Sequence, residues 1–330
     1  MSPASRFPLA DGHADSLMWN RDLNQRSTRG HVDFPRLQEA GTRIQCFTVV
    51  TRGYPVVDLF GAFAALRGWP AEARRSPWAR CAYQLDRMEA LCRASGGAVA
   101  VAGSAAELEQ NVAAGRISAV LGVEGAQALE GRPERVAELH RRGVRFMSLT
   151  HLDNNELGGS SSPLMGNRPL TPLGREVLEA MVGAGMTVDT AHASARTFAD
   201  LSENPRARLF SSHTGVAGGK PSWRNLTDQQ LRAIAGRGGV VGIIFATIYL
   251  GGSALSDVVR HVEHAVNVIG EDAVALGSDF DGMIPLPRGM RDVTDTGRLV
   301  DALSARHPDA RVEKIAWGNW RRFFRETLGP

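Results

Sequence analysis

Short apolar runs rich in β-branched residues alternate with longer amphipathic segments along the whole chain, and this alternation restricts the folds open to it. The order is typical of parallel βαβ units, in which a helix covers the sheet after each strand. The runs contain few polar residues, which fits strands buried on both faces. Eight strands are predicted: Phe7–Ala10, Thr42–Val50, Ser118–Gly122, Arg145–Leu149, Thr187–Thr190, Arg208–Ser211, Val240–Phe245 and Ala273–Leu276.

The segments between these runs have apolar residues at helical spacing. The predicted helices are Ser76–Ser95, Ala105–Ala114, Pro133–Arg142, Pro172–Gly183, Ala195–Ser202, Asp228–Arg237, Ser256–Ile269 and a final helix over Arg311–Thr327. Residues 51–75, with Pro55, Gly61, Gly68 and Pro70, are hard to assign, and Gly158–Ser162 is predicted to be a mobile surface loop.

Eight strands that alternate with helices favour an α/β fold of the closed (β/α)8 TIM-type barrel class, with residues 1–330 as one domain. A doubly wound open sheet is the alternative. The Gly-rich nucleotide-binding fingerprint of that fold does not follow the first predicted strand, so the barrel is preferred.

Composition excludes several classes of function. The net charge is only +3, and Lys and Arg form no long basic run, so nucleic acid is not an expected partner. No apolar run approaches the roughly 20 residues of a membrane span. The three cysteines, Cys46, Cys81 and Cys92, suit reduced thiols packed in the core, and no apolar leader follows Met1. A cytoplasmic protein is therefore expected.

Polar residues cluster where the predicted strands end, which is where barrel enzymes place their chemistry. The segments concerned are Asp11-Gly12-His13-Ala14-Asp15, Gly122-Val123-Glu124-Gly125, Leu149-Thr150-His151, Asp189-Thr190-Ala191-His192, Ser211-Ser212-His213 and Gly277-Ser278-Asp279-Phe280-Asp281-Gly282. One such segment is weak evidence, since a lone buried histidine is commonly a core residue. Six of them at six strand ends indicate a shared site.

Imidazole and carboxylate side chains in this arrangement suit zinc. His13 and Asp15 are two residues apart, which places both side chains on one side of a strand. His192 and His213 offer ligands for a second ion, and Glu124 could bridge the pair. Two ions about 3.5–4 Å apart can activate a water. By contrast, His261 and His264 form a His–x2–His pair at helical spacing and are predicted to lie on a helix surface, with His31, His140 and His307 equally unremarkable.

These segments, together with Val32-Asp33-Phe34-Pro35-Arg36-Leu37, Leu152-Asp153-Asn154-Asn155, Arg224-Asn225-Leu226-Thr227-Asp228 and Gly318-Asn319-Trp320, resemble the membrane (renal) dipeptidase family of zinc peptidases in order along the chain. Where the family usually has Asn and often Ser, this chain has Ala14 and Ala191, which flank ligands without supplying them. The segment Phe47–Gly53 lacks the family's aromatic pattern, which leaves the pocket shape open.

The resemblance implies a role for each matched residue. It implies two zinc ions per chain, one bound by His13 and Asp15 and the other by His192 and His213, with Glu124 bridging both. His151 would sit over the substrate carbonyl, and Arg224, with Asn225 beside it, would meet the substrate's C-terminal carboxylate. Asp279 would transfer protons near the bridging water.

The expected reaction is attack of a zinc-bridged hydroxide on the amide of a dipeptide with a free C-terminus. The expected partner is thus a dipeptide, with neither nucleic acid nor membrane, and a homodimer is one expected assembly. The alternatives are another binuclear amidohydrolase that acts on a lactam, a lactone or an N-acyl amino acid, and a non-catalytic metal-binding protein. Many such hydrolases use a carboxylated lysine as the bridge, whereas Lys220 and Lys314 follow no middle strand of the barrel.

Overall fold

A computed structural model describes residues 5–52 and 59–329. Its strands are all parallel within the named pairs. They are β1 (Leu9–Ala14), β2 (Thr42–Val50), β3 (Val99–Val101), β4 (Ile117–Glu124), β5 (Val144–Ser148), β6 (Thr187–Asp189), β7 (Leu209–Thr214), β8 (Val241–Ile243) and β9 (Val274–Leu276).

Eight of these strands pair with their neighbours in the order β1-β2-β4-β5-β6-β7-β8-β9, while β3 pairs only with the start of β4. The sheet curls so that its two edges meet: Ala14 pairs with Phe280, and Asp15 N–H donates to Phe280 O at 2.9 Å. The result is a nearly closed parallel barrel. The predicted TIM-type fold is confirmed, and the doubly wound sheet is excluded because the strand order never reverses.

The helices cover the outside of the barrel. They are α1 (Phe34–Ala40), α2 (Leu59–Leu66), α3 (Pro77–Ala94), α4 (Ala105–Ala113), α5 (Arg135–Arg141), α6 (Pro172–Gly183), α7 (Ala195–Glu203), α8 (Asp228–Ala235), α9 (Thr247–Leu250), α10 (Leu255–Ile269), α11 (Thr296–Ser304), α12 (Asp309–Glu313) and α13 (Asn319–Thr327). The predicted final helix is thus divided into α12 and α13 by a π-helical turn over Lys314–Gly318.

Several helices begin at a residue whose side chain accepts a backbone N–H, which fixes the first turn. Ser76, Ser104, Thr171, Ser194 and Thr227 do this for α3, α4, α6, α7 and α8. The predicted starts of these helices agree with the structure to within one residue, because these polar residues interrupt the apolar spacing at each N-terminus.

The barrel interior has its own apolar core, and aromatic residues of α13 pack into this core. Inward-facing residues such as Ile44, Phe146 and Phe210 pack against Trp320 and neighbouring aromatic residues of α13. The indole of Trp320 donates to Leu276 O at 2.7 Å. A methyl group on Gly12 would lie only 2.4 Å from the Trp320 ring. The ring therefore packs directly against Gly12, the residue before His13.

Two predictions about individual segments are wrong. Gly158–Ser160 is buried: Gly159 N–H donates to the Thr197 hydroxyl at 2.9 Å, and the Ser160 hydroxyl donates to His151 O at 2.6 Å. This part of the predicted surface loop therefore packs behind His151. His261, predicted to lie on a helix surface, is fully buried.

The remaining predictions concern the thiols and membrane insertion. Cys46 and Cys81 are buried and Cys92 is half-buried, all as free thiols. Burial raises the pKa of Cys81 to about 12 and that of Cys92 to about 11, so neither is a reactive thiolate. In the described part of the chain no helix has the length and apolar character needed to cross a membrane. In the segment over residues 51–75, which the sequence leaves unassigned, Leu59–Leu66 forms α2, and residues 53–58 lie outside the described residues.

Candidate metal centre

The predicted ligands converge at the C-terminal ends of the strands. His13 lies in β1, Glu124 ends β4 and His213 lies in β7, while Asp15, His151, His192 and Asp279 follow β1, β5, β6 and β9. All except His13 line one cavity of about 250 Å³, and His13 is buried beside it. The structure thus brings together every residue that sequence reasoning assigned to the metals and to proton transfer.

β1 and β7 each contain a bulge at their histidine. The pairing of β1 with β2 passes from Asp11–Gln45 to Ala14–Phe47, so three steps on one strand match two on the other. The pairing of β7 with β8 does the same between Ser211 and Thr214. A bulge turns a side chain away from strict alternation. His13 and His213 are aimed in this way, and their rings lie 3.7 Å apart between centroids.

The two carboxylate oxygens of Glu124 face different sets of histidines. Oε1 lies 2.9 Å from His192 Nε2 and 3.4 Å from His213 Nε2. Oε2 lies 3.7 Å from His13 Nε2 and 3.4 Å from His151 Nε2. This arrangement is that of a carboxylate that can serve two cations at once.

Three overlapping ligand groups result. In each, one ligand atom per residue lies within 4.8 Å of the others: His13, Asp15 and Asp279 form one group, Glu124, His192 and His213 form a second, and His13, Asp189 and His213 form a third. His13 and Asp15 fall in the first group and Glu124, His192 and His213 in the second, as predicted. Asp189 of the third group accepts from the Ser212 hydroxyl. Asp279, predicted to move protons, stands within ligand distance of the first group.

The charges favour cation binding. Burial, and then the Arg224 guanidinium, lower the pKa of His192 well below its ordinary value, so its ring is neutral and offers a lone pair. Burial, and then His13, do the same for His213. Burial would also lower the pKa of His13, but Glu124 and Asp15 outweigh it and raise that pKa well above the ordinary value. The buried carboxylates therefore attract positive charge.

The residues fit zinc on two further observations. Glu124 Oε1 and His192 Nδ1 are buried and take part in no hydrogen bond with the residues that the structure describes. Buried polar atoms in folded proteins rarely lack a hydrogen-bond partner, so a bound cation would account for both atoms. The donor set of imidazole nitrogens and carboxylate oxygens is the one that zinc prefers when cysteine is absent from a site.

One hydroxyl fixes the orientation of two ligands. Ser212 Oγ donates its single hydrogen to Asp189 Oδ2 at 2.5 Å, and it lies 3.1 Å from His13 Nδ1 and 2.8 Å from His213 Nδ1. Ser212 must then accept from both Nδ1–H groups, so that in each ring, when neutral, Nε2 is the nitrogen that can bind a metal. Sequence reasoning missed this role, although Asp189 and Ser212 stand in the same segments as His192 and His213.

His151 and Arg224 complete the cavity wall. His151 Nδ1 lies 3.2 Å from Arg52 O and donates to it, so Nε2 is directed at Glu124. Arg224 is 3% exposed, and its Nη2 donates to His213 O at 2.8 Å. Its buried Nε–H finds no acceptor in the described parts of the chain. This unmatched donor is what a bound carboxylate would satisfy.

Asn225 has a different environment from Arg224. Its amide donates to Lys220 O at 2.8 Å and to Tyr249 O at 2.9 Å, so it holds the loop that carries Arg224. Its substrate-binding role stays a prediction. Lys220 Nζ itself donates to Ile248 O, and Lys314 pairs with Glu271 on the outside of the barrel. Neither lysine is placed to bridge two ions.

The backbone is strained at the site. His192 and Asp279 have φ values of 64° and 63°, a region that residues other than glycine rarely adopt. Asp281 nearby has φ 65°, but its carboxylate is engaged elsewhere. It accepts from the Ser16 hydroxyl at 2.6 Å and from Arg21 Nη2 at 2.6 Å. Of the two aspartates, only Asp279 is free to act in the cavity.

Comparison with known proteins identifies the family. The family model "Membrane dipeptidase (Peptidase family M19)" matches residues 4–328. An uncharacterized protein from the pqqA 5′ region of Klebsiella pneumoniae is 33% identical over 258 residues, 74% of this chain and 94% of the relative. The dipeptidase aclJ of Aspergillus oryzae is 30% identical over 318 residues, 91% of this chain and 73% of the relative.

Solved structures agree with the family model. A metallopeptidase from Rhodobacter sphaeroides, liganded with a phosphinate mimic of the dipeptide L-Ala-D-Ala, superimposes with a TM-score of 0.86 at 28% identity. The match covers 97% of this chain and 99% of that one. A second structure, the dipeptidase AC, has a TM-score of 0.84 at 26% identity and covers 98% of this chain and 99% of its own. The chain therefore belongs to the membrane dipeptidase family, peptidase family M19.

Proposed function

We propose that this member of the metallodipeptidase family works with two zinc ions and selects dipeptides by their free C-terminal carboxylate. The observation that carries the proposal is the position of Glu124 between two ligand groups, beside the buried guanidinium of Arg224. When bound, two zinc ions would lower the pKa of the attacking water towards about 7 and polarise the substrate carbonyl.

Asp279 is suited to move the proton. Burial raises the pKa of its carboxyl above the ordinary value, which makes this carboxylate a stronger base towards the proton of the attacking water. The same proton can then pass to the leaving amine. The surrounding structure keeps the Asp279 backbone in the left-handed region, which sets the direction in which its side chain enters the cavity.

His151 is suited to stabilise charge on the carbonyl oxygen. Because its Nδ1 already donates to Arg52 O, its Nε2 can donate only when the ring is doubly protonated. The positive charge of that ring, close to Glu124, would then add to the stabilisation of the oxyanion.

The cavity wall suits small apolar side chains. Apart from the polar groups already described, it is formed by Met18, Val50, Phe60, Leu152, Ile248, Tyr249, Gly282, Met283 and Ile284. Its volume of about 250 Å³ leaves room for a small dipeptide. The dipeptide that the Rhodobacter sphaeroides ligand mimics is also small and apolar. The cytoplasmic location and the homodimer stay predictions.

The decisive experiment compares L-Ala-L-Ala with its C-terminal amide. We expect wild type to prefer the dipeptide, and Arg224→Ala to lose about 30- to several-thousand-fold in kcat/KM for it, because a desolvated charge pair loses one partner. The variant should hardly change the already slow turnover of the amide. Arg232→Ala is the matched control, since Arg232 is exposed on α8.

Two outcomes would contradict the proposal. Equal cleavage of dipeptide and amide by wild type would remove carboxylate recognition. A zinc content far below two ions per chain, measured by elemental analysis of active, zinc-reconstituted protein, would contradict the two-zinc model.

A further inference from the structure

Two histidines on the outside of the barrel are bonded to the loop that carries Arg224. His261 and His264 lie on α10, one helical turn apart. Val216 N–H donates to His261 Nδ1 at 3.0 Å, and this backbone donor requires Nδ1 to be an acceptor. Nε2 therefore carries the hydrogen and donates to Leu250 O at 3.2 Å. Both ring nitrogens of a fully buried residue are thus committed.

The loop over residues 215–227, which we call the carboxylate loop, is built on Val216. Val216 pairs with Leu226, and Ala217 N–H donates to Leu226 O at 2.8 Å. The position of Val216 therefore determines that of Leu226, two residues beyond Arg224. The same histidine holds Leu250 at the end of α9, whose residues Ile248 and Tyr249 line the cavity.

His264 holds the loop further along the chain. Its Nε2 lies 2.7 Å from Asp228 Oδ1, in the first residue after the loop. Two glycines make room for the rings: a methyl group on Gly218 would lie 1.9 Å from His264 Cε1, and one on Gly219 would lie 2.8 Å from the His261 ring. The loop thus lies directly on both imidazoles.

We propose that His261 and His264 are positioning residues for substrate selection, which act by holding the carboxylate loop so that Arg224 meets the substrate carboxylate. This inference rests on the proposed role of Arg224. Neither histidine is among the cavity-lining residues or the described ligand groups. Their loss should therefore weaken substrate binding while the metals and the chemical step are retained. A group that binds ground state and transition state equally affects KM more than kcat.

The test uses two substitutions of His261 that differ at one contact. His261→Leu leaves Val216 N–H without an acceptor, whereas the amide oxygen of His261→Asn can occupy the place of Nδ1. We expect His261→Leu to raise KM for L-Ala-L-Ala by about tenfold, from the cost of an unmet buried donor. Its kcat should stay within about threefold of wild type, and His261→Asn should restore most of the KM.

Two readouts do not depend on turnover. Zinc content should be unchanged in both variants, and hydrogen exchange of a peptide covering residues 215–227 should quicken in His261→Leu but not in His261→Asn. His264→Ala, a substitution of a half-buried residue, should raise KM in the same direction even if His261→Leu folds poorly. His307→Ala is the control, because His307 pairs with Glu263 away from the loop.

Equal loss of dipeptide and amide turnover, or loss of zinc, in both His261→Leu and His264→Ala would overturn the inference and leave a purely structural role. The proposed function fails in a different way, since wild type itself would then cleave the amide as fast as the dipeptide.

Discussion

Asp279 and Asp281 differ in function although they stand two residues apart with the same left-handed backbone. Asp281 is fixed by Ser16 and Arg21, and its own N–H donates to His31 Nδ1 at 3.0 Å. Asp279 faces the metal ligands instead. A left-handed residue at each position turns the chain so that the Asp281 carboxylate binds Ser16 and Arg21, whereas the Asp279 carboxylate enters the cavity.

The isosteric substitution Asp279→Asn tests the assignment of the proton acceptor. The amide keeps an oxygen near His13 and Asp15, so zinc content should be close to that of wild type. It cannot accept the proton, and kcat should fall about 10²–10⁴-fold. Asp301→Asn, on the exposed side of α11, is the control. A zinc-replete Asp279→Asn protein with normal kcat would place the proton acceptor elsewhere.

At the scale of single residues, the sequence predicts the metal ligands better than the residues that hold those ligands and the substrate-binding loop in position. His13, Glu124 and His213 are recognisable because polar residues interrupt apolar strands at their ends. The roles of Ser212 and His261 arise from contacts with residues that are distant in sequence, such as Ser212 with His13 and His261 with Val216. Spacing along the chain carries no signal for such contacts.

Among the elements, β7 shows how the barrel accommodates a bulge. The bulge turns the carbonyl of Ser212 into the barrel, where glycines of three neighbouring segments face it. A methyl group on Gly12, Gly242 or Gly277 would lie 2.5, 2.2 or 2.0 Å from Ser212 O. These glycines are required by close approach, since none of them has a positive φ.

The substitution Gly277→Ala should therefore disturb His213 through its neighbour. We expect a loss of about 1–3 kcal/mol in the free energy of unfolding, typical of overpacking, together with weaker zinc retention. Urea unfolding and zinc content measure the two effects. Gly183→Ala is the matched control, because a methyl group there meets nothing within 4 Å and should be neutral or slightly stabilising. Equal stability of the two variants would show that the backbone around Ser212 can move enough to accommodate a methyl group on residue 277.

The agreement between predicted and observed elements follows their composition. β2 is predicted with its observed bounds, Thr42–Val50, because seven of its nine residues are apolar or β-branched. β1 is observed four residues beyond its predicted end, since Asp11 and His13 interrupt the apolar pattern while the backbone continues to pair. β3 has three residues and α9 four, too few to show a period, and neither is predicted.

For the whole molecule, His261 makes a specific contribution to acid sensitivity. Burial lowers the pKa of His261 to about 4, below the ordinary 6.5 of an exposed histidine. Protonation therefore favours the unfolded chain: the stabilisation is complete above pH 6.5 and is lost progressively as the pH falls towards 4. Asp257, Arg260 and His264, the charged groups nearest the ring, modify this effect without reversing it.

We expect wild type to lose about 2 kcal/mol more than His261→Asn between pH 7.5 and pH 5, since asparagine does not titrate. Urea unfolding at the two pH values, in the same zinc-saturated buffer, measures the difference, and carboxylates common to both proteins cancel. Parallel losses would mean that the buried ring takes up its proton without unfolding.

The indole of Trp320 packs against Gly12, and the position of Trp320 near the end of the described chain matters for the growing polypeptide. A ribosome makes α13 after all nine described strands, so every predicted metal ligand is made before the ring that packs against Gly12, the residue before His13. Until α13 docks, Leu276 O lacks its donor and the space below Gly12 stays open. A chain interrupted before Trp320 would therefore contain every metal ligand but would lack the indole that packs against Gly12 and bonds Leu276 O.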